Sequence, residues 1–435
     1  MKKTLFLSIL LSAVSMLSEA QQTFPISKED VLAKVQAENS SIKISEQTIL
    51  EAKGDYRQTN AVFLPNISVS HTAFSTNNPV FAFGSKLNQG VFSEADFDVN
   101  KLNNPESIEN FTTNIQFEQP LINMDGFYQR GAAQMKLQAS EFQSDYQKNT
   151  LQLEAEKTYM TLQLAYKAVF VLEKAKVTAL ENQKTAQRYF DQGMLLHADV
   201  LDVEVRLNEI ENQLDQANSQ LKNVSDYLKF LMNESDDKIL IPNDELEITP
   251  ISLSDFESIS TNRPDIKALE TASLAYKKIN QSDKMSFLPT LNAFGNYELF
   301  DNQLFQGASN SYFVGAQLKW DILQGSKRFG KTQKSKAEYD KSVLQYEQYV
   351  SKSKIELNKA KRAVQDAQNK LQRAATARKQ SEEALRIRTD RFREGLEKTS
   401  DVLQSESQYA QSQLAYYQSI FEYNFACANL KFLTN

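Results

Sequence analysis

The 435-residue sequence predicts a mainly α-helical chain that also carries part of a membrane β-barrel: long antiparallel coiled-coil helices plus four β-strands. Three observations predict it. Apolar residues step three and four positions apart over stretches far longer than an ordinary helix. Four short segments alternate apolar and polar residues. One phrase occurs twice, as "YFDQGMLLHADVLD" at 189–202 and "RFREGLEKTSDVLQ" at 391–404. With only 12 Gly and 9 Pro, below the usual share, few turns are expected.

The N-terminus, "MKKTLFLSILLSAVSMLSEA", has two Lys, an apolar run and a small-x-small site ending at Ala20. That three-part pattern predicts a signal peptide over 1–20. A retained anchor is the weaker reading because the apolar run is short. Cys427 is the single cysteine, so no disulfide within the chain and no lipid anchor on an N-terminal Cys are expected. It sits between Ala426 and Ala428 in a helical pattern, which suits a small core residue. His71 and His197 lack neighbouring ligands, so neither a metal site nor a cofactor is expected. After the leader no run of 18 apolar residues suggests a transmembrane helix. A net charge of −6 gives no reason to expect nucleic acid.

The chain then divides into a first repeat (21–234), an equatorial connector (235–262) and a second repeat (263–435). Each repeat is read as helix, strand, strand, long helix, tip and returning helix. The first repeat has strands at 66–74 and 112–121 and a tip near 193–200; the second has strands at 290–299 and 311–322 and a tip near 395–401. In both, a Leu-Pro ("FLPNISVS", "FLPTLNAF") breaks a helix before a strand. The returning helix of the first repeat carries the seam Val203, Leu207, Ile210, Leu214, Ala217, Leu221, Val224, Leu228, Leu231, an unbroken heptad. In the second repeat Ser353, Ala360, Ala367 and Ala374 alternate with larger seam residues, allowing close helix approach. About 60 residues before each tip phrase give roughly 90 Å of helix, longer than an ordinary globular domain.

The strands have two faces. Tyr312, Val314, Leu318 and Trp320 fall on an apolar side with Ile67, Val69, Ile115 and Phe117. Gln116, Glu118, Asn292, Asn296, Glu298, Gln317 and Lys319 fall on the polar side. No other sheet is available to cover the apolar side, and lipid would cover it only if no edge were left open. Membrane barrels begin at about eight strands, so closure needs at least two chains, and three would give twelve. The polar face would then line water. A small soluble sheet is the duller reading. The segment between the first two strands, 75–110, reads as a long polar loop of unknown role.

With these residues in view the chain resembles the TolC-like outer membrane efflux proteins. "NRPDIKALE" at 262–270 followed by "SFLPTLNAFGNY", "KWDILQGSKRFGKTQKSKAEYD" at 319–340, and the weaker copy "FEQPLINMDGFYQRG" at 117–131 carry the likeness. The resemblance implies a homotrimer in outer membrane lipid with a 12-stranded barrel and a helical periplasmic tunnel. It further implies docking on a periplasmic adaptor (membrane fusion) protein and an inner-membrane transporter, in tripartite efflux or type I secretion. No catalytic step is implied, and no constellation of catalytic side chains is seen. A soluble periplasmic coiled-coil adaptor is the alternative; it predicts no strand pairs and no whole-chain duplication.

The repeated phrase then marks the tips. Gly193 and Gly395 suit a tight turn after a helix, while Asp199, Asp202, Glu397 and Asp401 bring acid to the aperture. Asp401, after Thr399 and Ser400, also suits a helix cap. The resemblance implies a closing lock of Arg, Tyr and paired Asp. The corresponding positions here are Glu397, Phe392 and, for the second Asp, Gln404, so that lock does not carry over.

Overall fold

The computed structural model describes residues 23–252, 256 and 258–434; the expected signal peptide lies outside them, as do four connector residues. The elements are β1 (Thr23–Ile26), α1 (Lys28–Glu38), α2 (Ser40–Gln58), β2 (Asn66–Thr76), α3 (Pro79–Asn88), α4 (Val99–Asn103), β3 (Ile108–Ile122), α5 (Met124–Asp191), α6 (His197–Met232), β4 (Ile239–Pro242), α7 (Pro264–Met285), β5 (Thr290–Asp301), β6 (Ser309–Lys319), α8 (Lys327–Arg393) and α9 (Thr399–Thr434). The chain forms two compact units, and α2, α5 and α8 contribute to both.

In the first unit the heptad seams are the core. Val203, Ile210, Leu221, Val224, Leu228 and Leu231 of α6 are buried. Leu228 and Leu231 pack with Val31 and Val35 of α1 and with Leu151, Ala155, Tyr159 and Leu162 of α5. Leu357, Ala360, Val364 and Leu371 of α8 pack against Ile420, Tyr423, Cys427 and Leu430 of α9. Between the larger side chains Ser353, Ser405, Ser412 and Ser419 are buried, so the small positions of the seam lie inside as their spacing demands. Cys427 is buried in this core.

The connector is held by hydrogen bonds to buried side chains. β1 and β4 form a two-stranded parallel sheet. Tyr159, 1% exposed, donates its hydroxyl to the Ile26 carbonyl (3.2 Å) and to Asp244 (3.0 Å). Burial and the Asp244 carboxylate push that phenol well above its ordinary range. Asn424 of α9 donates to the Glu247 carbonyl (2.7 Å) and accepts from the Thr249 amide (3.0 Å). Arg263, in the "NRPD" segment, is buried and donates to the Leu433 carbonyl (3.0 Å).

The second unit contains an antiparallel sheet ordered β2-β3-β5-β6. Its strands are longer at the helix-distal end than alternation predicts, reaching Thr76, Ile108, Asp301 and Ser309, and β6 stops at Lys319 instead of residue 322. Just past the end of β6 the Trp320 indole N–H donates to the Phe287 carbonyl (3.0 Å). The stretch between β2 and β3 also differs from a polar loop: it holds α3 and α4, with Phe83, Phe92 and Phe97 in edge-to-face contact.

Tyr159→Phe removes a buried donor shared by the Ile26 carbonyl and Asp244, whose other partners, the Asn243 and Lys28 amides, remain. It should lower the stability of the detergent-purified protein by about 1–2 kcal/mol, read as an earlier thermal transition by circular dichroism. An unchanged transition would show that the connector is held elsewhere.

Candidate functional site

Two regions carry the functional geometry, one in each unit. In the sheet, the strands are 11, 11, 12 and 15 residues long, sufficient for a tilted membrane-spanning strand of about 9–11. The pairing register puts Val69, Ile115, Tyr297 and Tyr312 in one row and Ile67, Phe117, Gly295 and Val314 in the next. These side chains, with Leu318, form one apolar face; Tyr312 is 77% and Val314 70% exposed. Trp320, just beyond β6, is also exposed. Nothing in the described chain covers that face over its middle.

The opposite face holds the rows Asn66, Glu118, Phe294, Gly315 and Ser68, Gln116, Asn296, Phe313, with Glu298, Gln317, Asn292 and Lys319 on the same side. Every side chain expected to be polar-facing therefore shares one face. Alternation puts Phe313 on this face too, and Phe294, which the sequence reading passed over, joins it. Phe294 and Phe313 lie 5.6 Å apart between ring centroids, and the Phe294 ring occupies the space a Cβ on Gly315 would need.

His71 is a polar residue on the apolar face, in one row with Thr113 and Asn310. Its Nδ1 is 2.8 Å from Thr113 Oγ1, and the Phe305 ring stacks on it at 4.5 Å. That lid shields an imidazole that would otherwise meet the apolar surroundings bare.

In the first unit the two tips repeat one geometry. Gly193 (φ 72°) and Gly395 (φ 71°) are left-handed. Gly193 N–H donates to Phe190 O and Met194 N–H to Tyr189 O, both at 2.8 Å; Gly395 N–H to Phe392 O and Leu396 N–H to Arg391 O are both 2.9 Å. This is the Schellman pairing, which satisfies the last carbonyls of α5 and α8 and reverses the chain. The Tyr189 and Phe392 rings lie 6.1 Å apart, bringing the two helix ends together. Ala186, Val200 and Val203 form a small core there with Phe190 and Leu403.

The acids divide by role. Asp199 accepts the Leu196 N–H (3.1 Å), capping α6. Asp401 makes no such cap; it lies 3.9 Å from Arg388. Glu397, half-buried, receives Arg388 at 3.1 Å and Arg391 at 2.8 Å. Asp202 is exposed on the first turns of α6. The expected crowding of acid is thus offset within the chain by two arginines that sequence reading passed over. Their signal was spacing: 388 and 391 are three apart on one helix face, just before the turn that carries Glu397. Deeper in the bundle Glu406 accepts a hydrogen bond from Asn182, and burial pushes its carboxyl above the ordinary range.

Among the described residues no three His, Cys, Asp or Glu converge as metal ligands, and no helix is long and apolar enough to cross a membrane. A membrane-dimensioned sheet with one apolar and one polar face, beside long paired helices, defines the class: the subunit of an outer-membrane channel. The profile of the outer membrane efflux protein family matches residues 31–234 and 257–435, and the chain belongs to that family.

Solved structures agree on the fold. A membrane protein from Pseudomonas aeruginosa is 17% identical with a TM-score of 0.80, covering 94% of this chain and 93% of that one. The CmeC outer membrane channel of Campylobacter jejuni is 15% identical with a TM-score of 0.78 over 94% and 85%. The outer membrane protein VceC of Vibrio cholerae is 16% identical with a TM-score of 0.79 over 94% and 96%. No curated protein matches by sequence. The protein is an outer membrane efflux channel.

A Cβ at Gly193 or Gly395 would meet no atom within 4 Å, so alanine there is opposed by φ alone, at about 1–2 kcal/mol each. The double variant Gly193→Ala, Gly395→Ala should still fold, with an earlier thermal transition by circular dichroism than the natural protein. An unchanged transition would show that the two turns accept a side chain without strain.

Proposed function

We propose that three copies of this chain close the four-stranded sheet into a twelve-stranded barrel in the outer membrane, continuous with a helical conduit through the periplasm. Two structural repeats, 21–234 and 263–435, would supply the helix pairs. The conduit is passive and water-filled. It docks through its tips on a periplasmic adaptor and, through that, on an inner-membrane transporter. The observation that carries the reading is the sheet itself: an exposed apolar face and two unpartnered outer strands, β2 and β6, among the described residues of a chain in this family.

In this reading Tyr312, Val314 and Leu318 face lipid and Trp320 stands at the membrane boundary, where aromatic belts lie. Gln116, Glu118, Asn292, Asn296, Glu298, Gln317 and Lys319 line water. Gly193, Asp199, Asp202, Gly395, Glu397 and Asp401 surround the periplasmic aperture. Met194, Leu196 and Leu396, exposed beside the turns, offer the adaptor an apolar surface. Glu397, held by Arg388 and Arg391, fixes the α8–α9 turn in place of the family's lock.

Two substitutions test the assignment of faces. Val314→Arg on the lipid face should cost about 2–4 kcal/mol near the bilayer midplane and reduce the heat-modifiable oligomer recovered from outer membranes. Asn296→Arg on the water face should leave that oligomer intact and shift the ion selectivity of single channels toward anions. Equal recovery of both oligomers with unchanged selectivity would contradict the assignment. Crosslinking in cells, with the captured adaptor identified by mass, tests docking; no adaptor captured at either tip would contradict it.

A further inference from the structure

Residues 77–107, between β2 and β3, lie at the hairpin end of the sheet, because α2, α5, α7 and α8 all join the strands at the other end. The segment does not simply project away from that end. α3 buries Ala82 and Ser85, and Gln89 just past its end is buried as well. The Gln89 side-chain amide donates to the Glu109 carbonyl (2.9 Å), Asn110 Oδ1 (2.9 Å) and the Asp301 carbonyl (3.3 Å). The neighbouring Gly90 sits against Ser309.

The side of the sheet is what matters. Asn110 bonds Thr112 on its own face (2.8 Å), and Thr112, Phe300 and Ser309 form one row of the polar face. Asn110 is 3% and Phe300 6% exposed, whereas Gln116, further along the same face, is exposed. A segment folded out into the medium, or onto the apolar face, would leave Asn110 and Phe300 uncovered. The segment also holds its own shape. Lys86 pairs with Asp96 (2.8 Å), Phe92 contacts Phe83 and Phe97, and Val80 and Phe81 remain exposed. Lys86, with help from Ser93, holds the Asp96 carboxyl down at about 2, so that carboxylate stays charged across physiological pH.

We propose that residues 77–107 stand over the lumen at the outer mouth of the channel, and that they, not the strand wall, set the size limit for solutes there. The proposal rests on the polar face being the lumen wall. Pore width at the narrowest ring of side chains governs what a channel admits, and closure by several copies sets one such segment per copy around a single opening.

Cysteine scanning of the full-length channel in planar bilayers tests this. Val80→Cys is treated from the hairpin side with a bulky charged methanethiosulfonate, with Gln116→Cys as the lumen control and the unmodified protein, whose Cys427 is buried, as the blank. Modification at position 80 should cut conductance by about half or more. Block at 116 without any effect at 80 would overturn the outer constriction alone. No effect at either position would overturn the lumen reading and the constriction with it. In a second variant a short Gly-Ser linker replaces residues 79–105. It should admit larger polyethylene glycols than the natural channel, and an unchanged exclusion size would also overturn the proposal.

Discussion

A β-strand edge cannot be left open in hydrocarbon, since each unpaired N–H or C=O there costs several kcal/mol with no water to take it up. This chain presents two such edges, β2 and β6, on a sheet whose apolar face is exposed. Water penalises the face and lipid penalises the edges. The two penalties vanish together only when the sheet closes on itself inside a membrane, which four strands cannot do. In the proposed assembly, oligomerisation is therefore part of folding for this chain.

The helices meet a different demand, to pair closely over a great length with little apolar volume. They meet it with small residues. Ser353, Ser405, Ser412 and Ser419 are buried along the seams of α8 and α9. The hydroxyls of Ser412 and Ser419 each donate to a carbonyl of their own helix at 2.7 Å, which satisfies the polar atom without a partner on the next helix. Leu357, Val364, Tyr423 and Leu430 are among the larger buried side chains between them. The tips close each pair by backbone geometry, with glycine at the one left-handed position in each turn.

Much of this was legible in the sequence because it is periodic. The α6 seam and the split of the strands into two faces follow from spacings of three to four and of two. The structure buries six of the nine seam residues, leaves Leu207, Leu214 and Ala217 half-buried, and keeps the two strand faces. What escaped is short or decided by rotamers. α3 and α4, of 10 and 5 residues, are too brief for a helical period to emerge from a Gly- and Asn-containing stretch. Alternation in "KWDI" continues past Lys319, where β6 ends, because a residue pattern does not register where strand pairing stops. Asp199 caps its helix while Asp401 turns to Arg388, although both occupy the same place in the repeated phrase. Arg388 and Arg391 lie in a charge run that reads as a solvated face, and only the fold brings Glu397 back to them.

Mass measurement of the mature protein, extracted from outer membranes in mild detergent, tests the central claim most directly. The account predicts a species three times the chain mass that dissociates only on heating and precipitates when detergent is removed. A monomer that stays dissolved without detergent would contradict it.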